Sequence, residues 1–365
     1  MNLYTEPMDT GNSYRSEMLD QVNNLIQHEL KAAEKRRKQF FQVDYGSIHL
    51  YEDTTFGLRL DFMAMLGWPL GSMPEKSIPA ARELPVAEDD LGKISRLWIE
   101  TLPGVETYGL YFTPPGSGPF PLVISQHGGG GTPELCSDFF GSANYNDMTR
   151  RVLRRGCAVF APQLLLWNPD MFGPKYDRLR IDQQLKHLGS SITALEIYRL
   201  QRSLDYLETR PEIDASRTGM IGLSYGGFYT LFAAAVETRI KVAVSSCFFN
   251  NRKVYDWADW TWFDAANTFM DAEVAMLVCP RRLYIEVGKK DELFNVKYAR
   301  PEAAKVQKAY TQLGIPECFV YHEFHGVHEL DKGDGGIDFL CAGLGLLPAS
   351  QFTAGSSHSP STGAN

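Results

Sequence analysis

The sequence predicts an α/β fold: a mostly parallel central sheet covered by helices on both faces, with a helical N-terminal extension and a small aromatic-rich lid insertion. Three observations predict it. Apolar runs such as PLVISQ, CAVFAP, TGMIGL and IKVAVSS lack the alternation of a half-exposed strand, which marks strands buried on both faces. Stretches of helical periodicity separate these runs, as parallel crossovers require. Two strands run into glycine-rich turns, GGGG and GLSYGG, of the kind that bring main chain close to a ligand.

Along the chain the elements follow in order. From 16 to 41, Met18, Leu19, Val22, Leu25, Ile26, Leu30 and Ala33 recur at helical spacing and predict one amphipathic helix. Short helical pieces are expected to about residue 85, so 1–85 reads as an extension that covers an active site, forms a homodimer face or packs on the main domain. RLWIETLPG and TYGLYFTP flank Pro103-Gly104 as a hairpin. PLVISQ and CAVFAP are the next strands, and 191–208 is a long helix. TGMIGL is a strand and GGFYTLFAAAVE a helix. IKVAVSSCFF, RRLYIEVG and ECFVYHEF are further strands, with helices at 299–313 and 335–346. The main domain is expected over 86–348, and the low-complexity tail 349–365 is expected to be disordered.

Composition narrows the function. The net charge of -8 argues against nucleic acid, which needs a basic face. The basic run Lys35 to Lys38 lies in a helical pattern beside Glu29 and Glu34 and reads as a solvated face. Six scattered cysteines without a CxxC pair suit small buried hydrophobes in a reducing compartment. The polar start MNLYTEPMDTGNSY lacks a secretory core, and no apolar run approaches the ~18 residues of a membrane span. A cytoplasmic protein without membrane contact is expected.

The most informative stretch is TGMIGLSYGGFYTLF. Gly222-Leu223-Ser224-Tyr225-Gly226 is a G-x-S-x-G that ends an apolar strand and opens a helix. That context lifts a serine hydroxyl from the sheet edge on a strained turn and aims helix N-terminal amides at a developing oxyanion. A hydroxyl is a weak nucleophile at neutral pH and needs a base and an orienting acid. In this architecture they follow in the order serine, acid, histidine. Asp291, three residues past the end of RRLYIEVG, fits the acid; Glu286 lies within the strand and Glu292 is a looser neighbour.

Near the C-terminus YHEFHGVHEL spaces His322, His325 and His328 three apart. A strand followed by a glycine turn does not gather such residues on one face, and the HExxH helix pattern of zinc proteases is missing. His328, in the loop beyond the last strand, is placed where the base belongs; His325 is the rival and His322 reads as structural. No metal and no cofactor are expected. Upstream, PLVISQHGGGGTPEL runs a strand into His127 and Gly128 to Gly131. One oxyanion donor is expected from the Tyr225 amide and the other from this loop, with Gly129 first and Gly128 and Gly130 beside it.

These residues resemble the α/β-hydrolase superfamily, and within it the dienelactone hydrolase and acetyl xylan esterase-related branch. His127 with its four glycines, the block RSLDYLETRPEIDASRTGMIGLSYGG and the late GVHEL carry the resemblance, over roughly 95–346. It implies an eight-stranded core and a Ser224–Asp291–His328 triad that cleaves esters through an acyl-enzyme. A serine stands where dienelactone hydrolases proper carry cysteine. A small-molecule or carbohydrate ester is the expected substrate; carbon–carbon hydrolysis or acyl transfer on the same scaffold is the alternative. Two aromatic stretches, LLLWNPDMFGP and VYDWADWTWFDAANTFMD, supply candidate pocket walls through Trp167 and Trp260.

Overall fold

The structure, a computed structural model, describes residues 1–70, 77–141, 144–255 and 257–346. Its centre is a nine-stranded sheet of β1 (Ala81–Asp89), β2 (Gly92–Leu102), β3 (Val105–Thr113), β4 (Phe120–Gln126), β5 (Ala158–Pro162), β6 (Ile213–Leu223), β7 (Ile240–Ser246), β8 (Arg282–Gly288) and β9 (Phe319–Phe324). The order is β1-β2-β3-β5-β4-β6-β7-β8-β9; the first three strands pair antiparallel, β3 meets β5 antiparallel, and everything from β5 to β9 is parallel. The helices are α1 (Asn12–Phe40), α2 (Ile48–Leu66), α3 (Pro133–Cys136), α4 (Met148–Leu153), α5 (Arg178–His187), α6 (Ile192–Leu207), α7 (Tyr225–Val236), α8 (Ala265–Thr268), α9 (Asp271–Val278), α10 (Val296–Gln312) and α11 (Gly335–Gly343).

The unbroken apolar runs are explained by burial on two sides. Along β5, Ala158 and Phe160 enter the core shared with α2, α6, α7, α9 and α10, while Val159 and Ala161 enter the core shared with α4 and α11. On β6, Met220 and Ile221 divide in the same way. With period-two geometry, a strand between two helical layers must be apolar at every position.

The sheet has one strand more than the eight expected, and the extra one crosses the expected 85/86 boundary. All nine residues of β1, ARELPVAED, are exposed, and the ladder to β2 shifts register between Pro85 and Ala87. Proline, charge and a bulge are what an edge strand uses to resist further pairing. They also erase the apolar pattern by which a strand is read. The expected tail at 349–365 lies outside the described residues.

Residues 48–66 form one helix rather than short pieces. Ser47 caps it by accepting from the Leu50 amide at 3.1 Å, and Gly67 ends it at φ +102°. This helix belongs to the main core: Tyr51, Leu58, Phe62 and Leu66 are buried in it. Tyr51 donates its hydroxyl to the Met276 carbonyl at 2.8 Å. Arg59 donates to the carbonyls of Ala235 at 2.8 Å and Leu277 at 3.0 Å, filling acceptors that the last turns of α7 and α9 leave open. The N-terminal segment therefore braces the far end of α7, whose first turn follows Ser224.

Phe62 is fully buried, with ring centroids 5.3 Å from Phe232 and 5.1 Å from Phe269. Phe62→Ala is expected to cost about 3–5 kcal/mol, read as a lower denaturant midpoint with an unchanged slope. A loss below about 0.5 kcal/mol would mean that α2 is an appendage rather than part of the cooperative unit.

Candidate functional site

Ser224 ends β6 with φ +60° and ψ −122°, a backbone conformation that non-glycine residues seldom adopt. Its amide donates to Ser246 O of β7 at 2.9 Å, and its carbonyl accepts from the Phe228 amide at 2.9 Å, so strand and helix grip it from both sides. The flanking glycines are required by close approach. A Cβ on Gly222 would lie 2.3 Å from Gly226 O, and one on Gly226 would lie 2.1 Å from Gln126 O. The turn can close on the sheet only without those atoms.

Asp291 and His328 meet beyond the ends of β8 and β9. Asp291 Oδ2 bonds His328 Nδ1 at 3.0 Å, and Asp291 Oδ1 accepts from the amides of Leu293 at 2.8 Å and Phe294 at 2.9 Å. These two amides fix the carboxylate, which in turn fixes the ring. The loops that carry the pair are laced together: the Lys289 amide donates to Phe324 O and the Lys290 amide to Gly326 O, both at 2.9 Å. Gly288 makes this possible, because a Cβ there would stand 2.3 Å from Val327 O. The end of β7 joins them to the serine: Cys247, one residue past Ser246, directs its Sγ to Glu329 O at 3.2 Å. Among the described residues no acceptor or donor bonds Ser224 Oγ or His328 Nε2, which leaves both atoms open to a substrate.

The other two histidines go elsewhere. His322 Nε2 lies 3.2 Å from Asp331 Oδ2, and His325 is exposed. Glu286 is buried on β8, where its Oε1 accepts from Ser246 Oγ at 2.7 Å and the Asp331 amide at 3.0 Å. It anchors the loop past His328 and does not touch the ring. Among the described residues, metal-ligand atoms come within 4.8 Å of one another at Cys247, Asp291 and His328. Burial pushes the Cys247 thiol up and so keeps it protonated, and His328 Nδ1 is already engaged, a poor donor set for a cation.

In the glycine loop three of four amides are spent. Gly128 donates to Tyr145 OH at 2.8 Å, Gly130 to Leu166 O at 2.8 Å and Gly131 to Gly128 O at 3.2 Å. Among the described residues the Gly129 amide has no acceptor, and neither does that of Tyr225 in the first turn of α7. Gly129 faces Tyr225, since a Cβ on it would be 3.3 Å from Tyr225 Cδ2. His127 holds the loop from below. Its Nδ1 donates to Gly128 O at 2.9 Å while its Nε2 accepts from the Leu164 amide at 3.0 Å, a pattern that requires a neutral ring. Burial lowers its pKa to about 4, in agreement with that tautomer.

Trp260, expected as a pocket wall, is core instead. It is 2 % exposed and packs against Phe228, Phe248, Trp257 and Phe294 at centroid distances of 4.5–5.9 Å. The cause is its neighbour. Asp259 accepts from Arg178 Nε at 2.9 Å and from Tyr225 OH at 3.1 Å, which draws the turn inward. The neighbouring Trp257 is half-exposed and stacks on Tyr225 at 5.7 Å and 6°. Trp167 is half-exposed and lines a recess of about 360 Å³ with Tyr108, Glu134, Phe140, Gln163 and Phe172. The Arg178–Asp259–Tyr225 network was not legible beforehand, because its members come from two insertions and a helix that no spacing rule connects.

A serine elbow between a parallel strand and a helix, with an aspartate–histidine pair at the same sheet edge, defines an α/β-hydrolase-fold enzyme. The chain belongs to the dienelactone hydrolase family: that family's model matches residues 135–325, a span that includes Ser224 and Asp291 and stops three residues short of His328. A Bacillus subtilis (strain 168) protein described as "Putative hydrolase YtaP" is 25% identical over 269 residues, 68% of this chain and 87% of that protein. Solved structures share the fold. One, described as a "putative acetyl xylan esterase" from Bacteroides fragilis, has a TM-score of 0.61 at 16% identity and covers 81% of this chain and 83% of its own. Another, a glucuronoyl esterase from Solibacter usitatus, has a TM-score of 0.58 at 14% identity and covers 78% and 91%. Among the described residues no helix is long and apolar enough to cross a membrane.

Burial raises the Glu286 pKa from 4.5 to about 7, against the lowering by the Asp331 amide and the Ser246 hydroxyl that its carboxylate accepts. The folded state thus holds a proton that the unfolded state releases, so stability falls as pH rises from about 4.5 through about 7. Glu286→Gln keeps an oxygen for Ser246 and Asp331 and removes this loss. Urea unfolding is expected to find the variant more stable than the parent by up to about 3 kcal/mol at pH 8, with the gap closing near pH 4. Equal pH profiles would show that Glu286 does not titrate in this range.

Proposed function

We propose that this protein is a serine carboxylesterase. The observation that carries the reading is the 3.0 Å bond from His328 Nδ1 to Asp291, made at the sheet edge where the Ser224 elbow opens. In the proposed reaction Ser224 Oγ attacks the ester carbonyl carbon and His328 Nε2 takes the hydroxyl proton. The amides of Tyr225 at the elbow and of Gly129 on the glycine loop that faces it hold the oxyanion, since both have unspent N–H groups. Collapse breaks the bond to the leaving oxygen, which receives the proton from His328, and leaves an acyl-Ser224. Water then gives its proton to His328 and attacks the acyl carbon; the acid departs and Ser224 recovers its proton. Asp291 keeps Nδ1 protonated and stabilises the imidazolium of each half-reaction.

The same reading extends to a small or carbohydrate ester as substrate. Trp257 on Tyr225 and the Trp167 recess offer aromatic faces with Glu134 and Gln163 at hand, a combination suited to a sugar or aryl ring. The names of the structural neighbours, acetyl xylan and glucuronoyl esterases, point the same way. A cytoplasmic location is supported by six free cysteines, five of them buried.

Hydrolysis of p-nitrophenyl acetate, acetylated xylan and a β-diketone tests the bond that is cleaved. Ser224→Ala and His328→Ala are each expected to lower kcat by about four to six orders of magnitude, and Asp291→Asn by about four. His325→Ala should stay within about twofold, as an exposed substitution. Near-normal ester turnover by Ser224→Ala, or turnover of the β-diketone alone, would overturn the reading.

A further inference from the structure

Helix α1 leaves the body of the molecule. Residues 12–29 are exposed throughout, and anchoring starts only at Leu30, whose carbonyl accepts from Lys253 Nζ at 2.6 Å. From there Arg37 pairs with Glu273 at 3.0 Å, and Phe40 packs on Phe269 at 5.3 Å. The free part is about 27 Å long at 1.5 Å per residue. It is not polar. Met18, Leu19, Val22, Leu25 and Ile26 are each 48–63% exposed. At 100° per residue they fall within an arc of about 120°. The same arc continues into Ala33 and Arg37, the residues of α1 that dock on the body. Most helix stability in proteins comes from packing an amphipathic face, and an apolar stripe along a free helix calls for cover.

The stripe has a symmetry that selects its cover. It is palindromic about Val22: Met18 and Ile26 are equidistant from it, as are Leu19 and Leu25. The flanking charges follow the same rule with opposite signs, Arg15 on one side and Glu29 on the other. A second α1 running antiparallel, with the two-fold axis at Val22, sets Met18 on the partner's Ile26, Leu19 on the partner's Leu25 and Arg15 beside the partner's Glu29. Each pairing occurs twice, as an isologous contact requires. Glu29 already bonds Arg36 of its own chain at 3.0 Å, so Arg15 of the second copy joins an existing ion pair. A parallel pair in register would instead set Arg15 on Arg15 and Glu29 on Glu29, since both lie within about 20° of Val22 on the stripe face.

We propose that residues 12–29 form an antiparallel helix pair with a second copy of this chain, making the protein a homodimer whose sheets lie at opposite ends of the paired helices. The inference does not depend on the esterase reading. Light scattering on the full chain at tens of micromolar should give a two-chain mass, and V22E/L25E should halve it while leaving ester turnover unchanged. Mild oxidation of Val22→Cys should cross-link the dimer through the two-fold axis, whereas Met18→Cys should not link to itself. A single-chain mass for the unmodified protein, including one that instead binds anionic phospholipid vesicles, would overturn the proposal. So would a V22E/L25E variant that keeps the double mass, or self-linking of Met18→Cys with none at Val22→Cys.

Discussion

The structure depends on one strained residue. Ser224 at φ +60° turns the chain from a strand at the centre of the sheet into the helix behind it. Such a conformation costs of order 1–3 kcal/mol and persists where its surroundings over-determine it. Here they do: β7 takes its amide, α7 takes its carbonyl, and two glycines let main chain approach to distances that no side chain would permit. The C-terminal end of α7 is held in turn by Arg59 of the N-terminal segment. The first seventy residues thus contribute to the geometry of the turn from the other end of the helix.

Around that turn, polar groups are either fully committed or conspicuously free. Asp291 accepts two amides and a histidine, His127 uses both ring nitrogens, and Glu286 ties the β7 end to the histidine loop. In the buried layers an unmet hydrogen bond costs about 1–3 kcal/mol, so this satisfaction is what rigidifies the loops. Against it, the Gly129 and Tyr225 amides and the Ser224 hydroxyl have no hydrogen-bond partner among the described residues. The two insertions are bound into the same scheme, since Arg178 from one and Asp259 from the other meet on the Tyr225 hydroxyl. Displacement of either insertion would therefore reach the residue whose amide faces the site.

Local chemistry determined a large part of this protein. Strands buried on both faces need apolar residues at every position, so β4 to β8 were legible as runs, and a strand–serine–helix turn needs small flanking residues, so the Ser224 elbow was legible as a motif. The positions of Asp291 and His328 after their strands followed from chain order, and the structure brings those two side chains together. What only tertiary structure decided has a common cause, which is dependence on contacts between residues far apart in the chain. β1 is a strand because β2 offers it a ladder, Trp260 is buried because Asp259 is held by Arg178, and Gly129 is the free amide because Tyr145 and Leu166 occupy its neighbours. None of these partners is visible from local periodicity, since each is set by where the folded sheet delivers another segment.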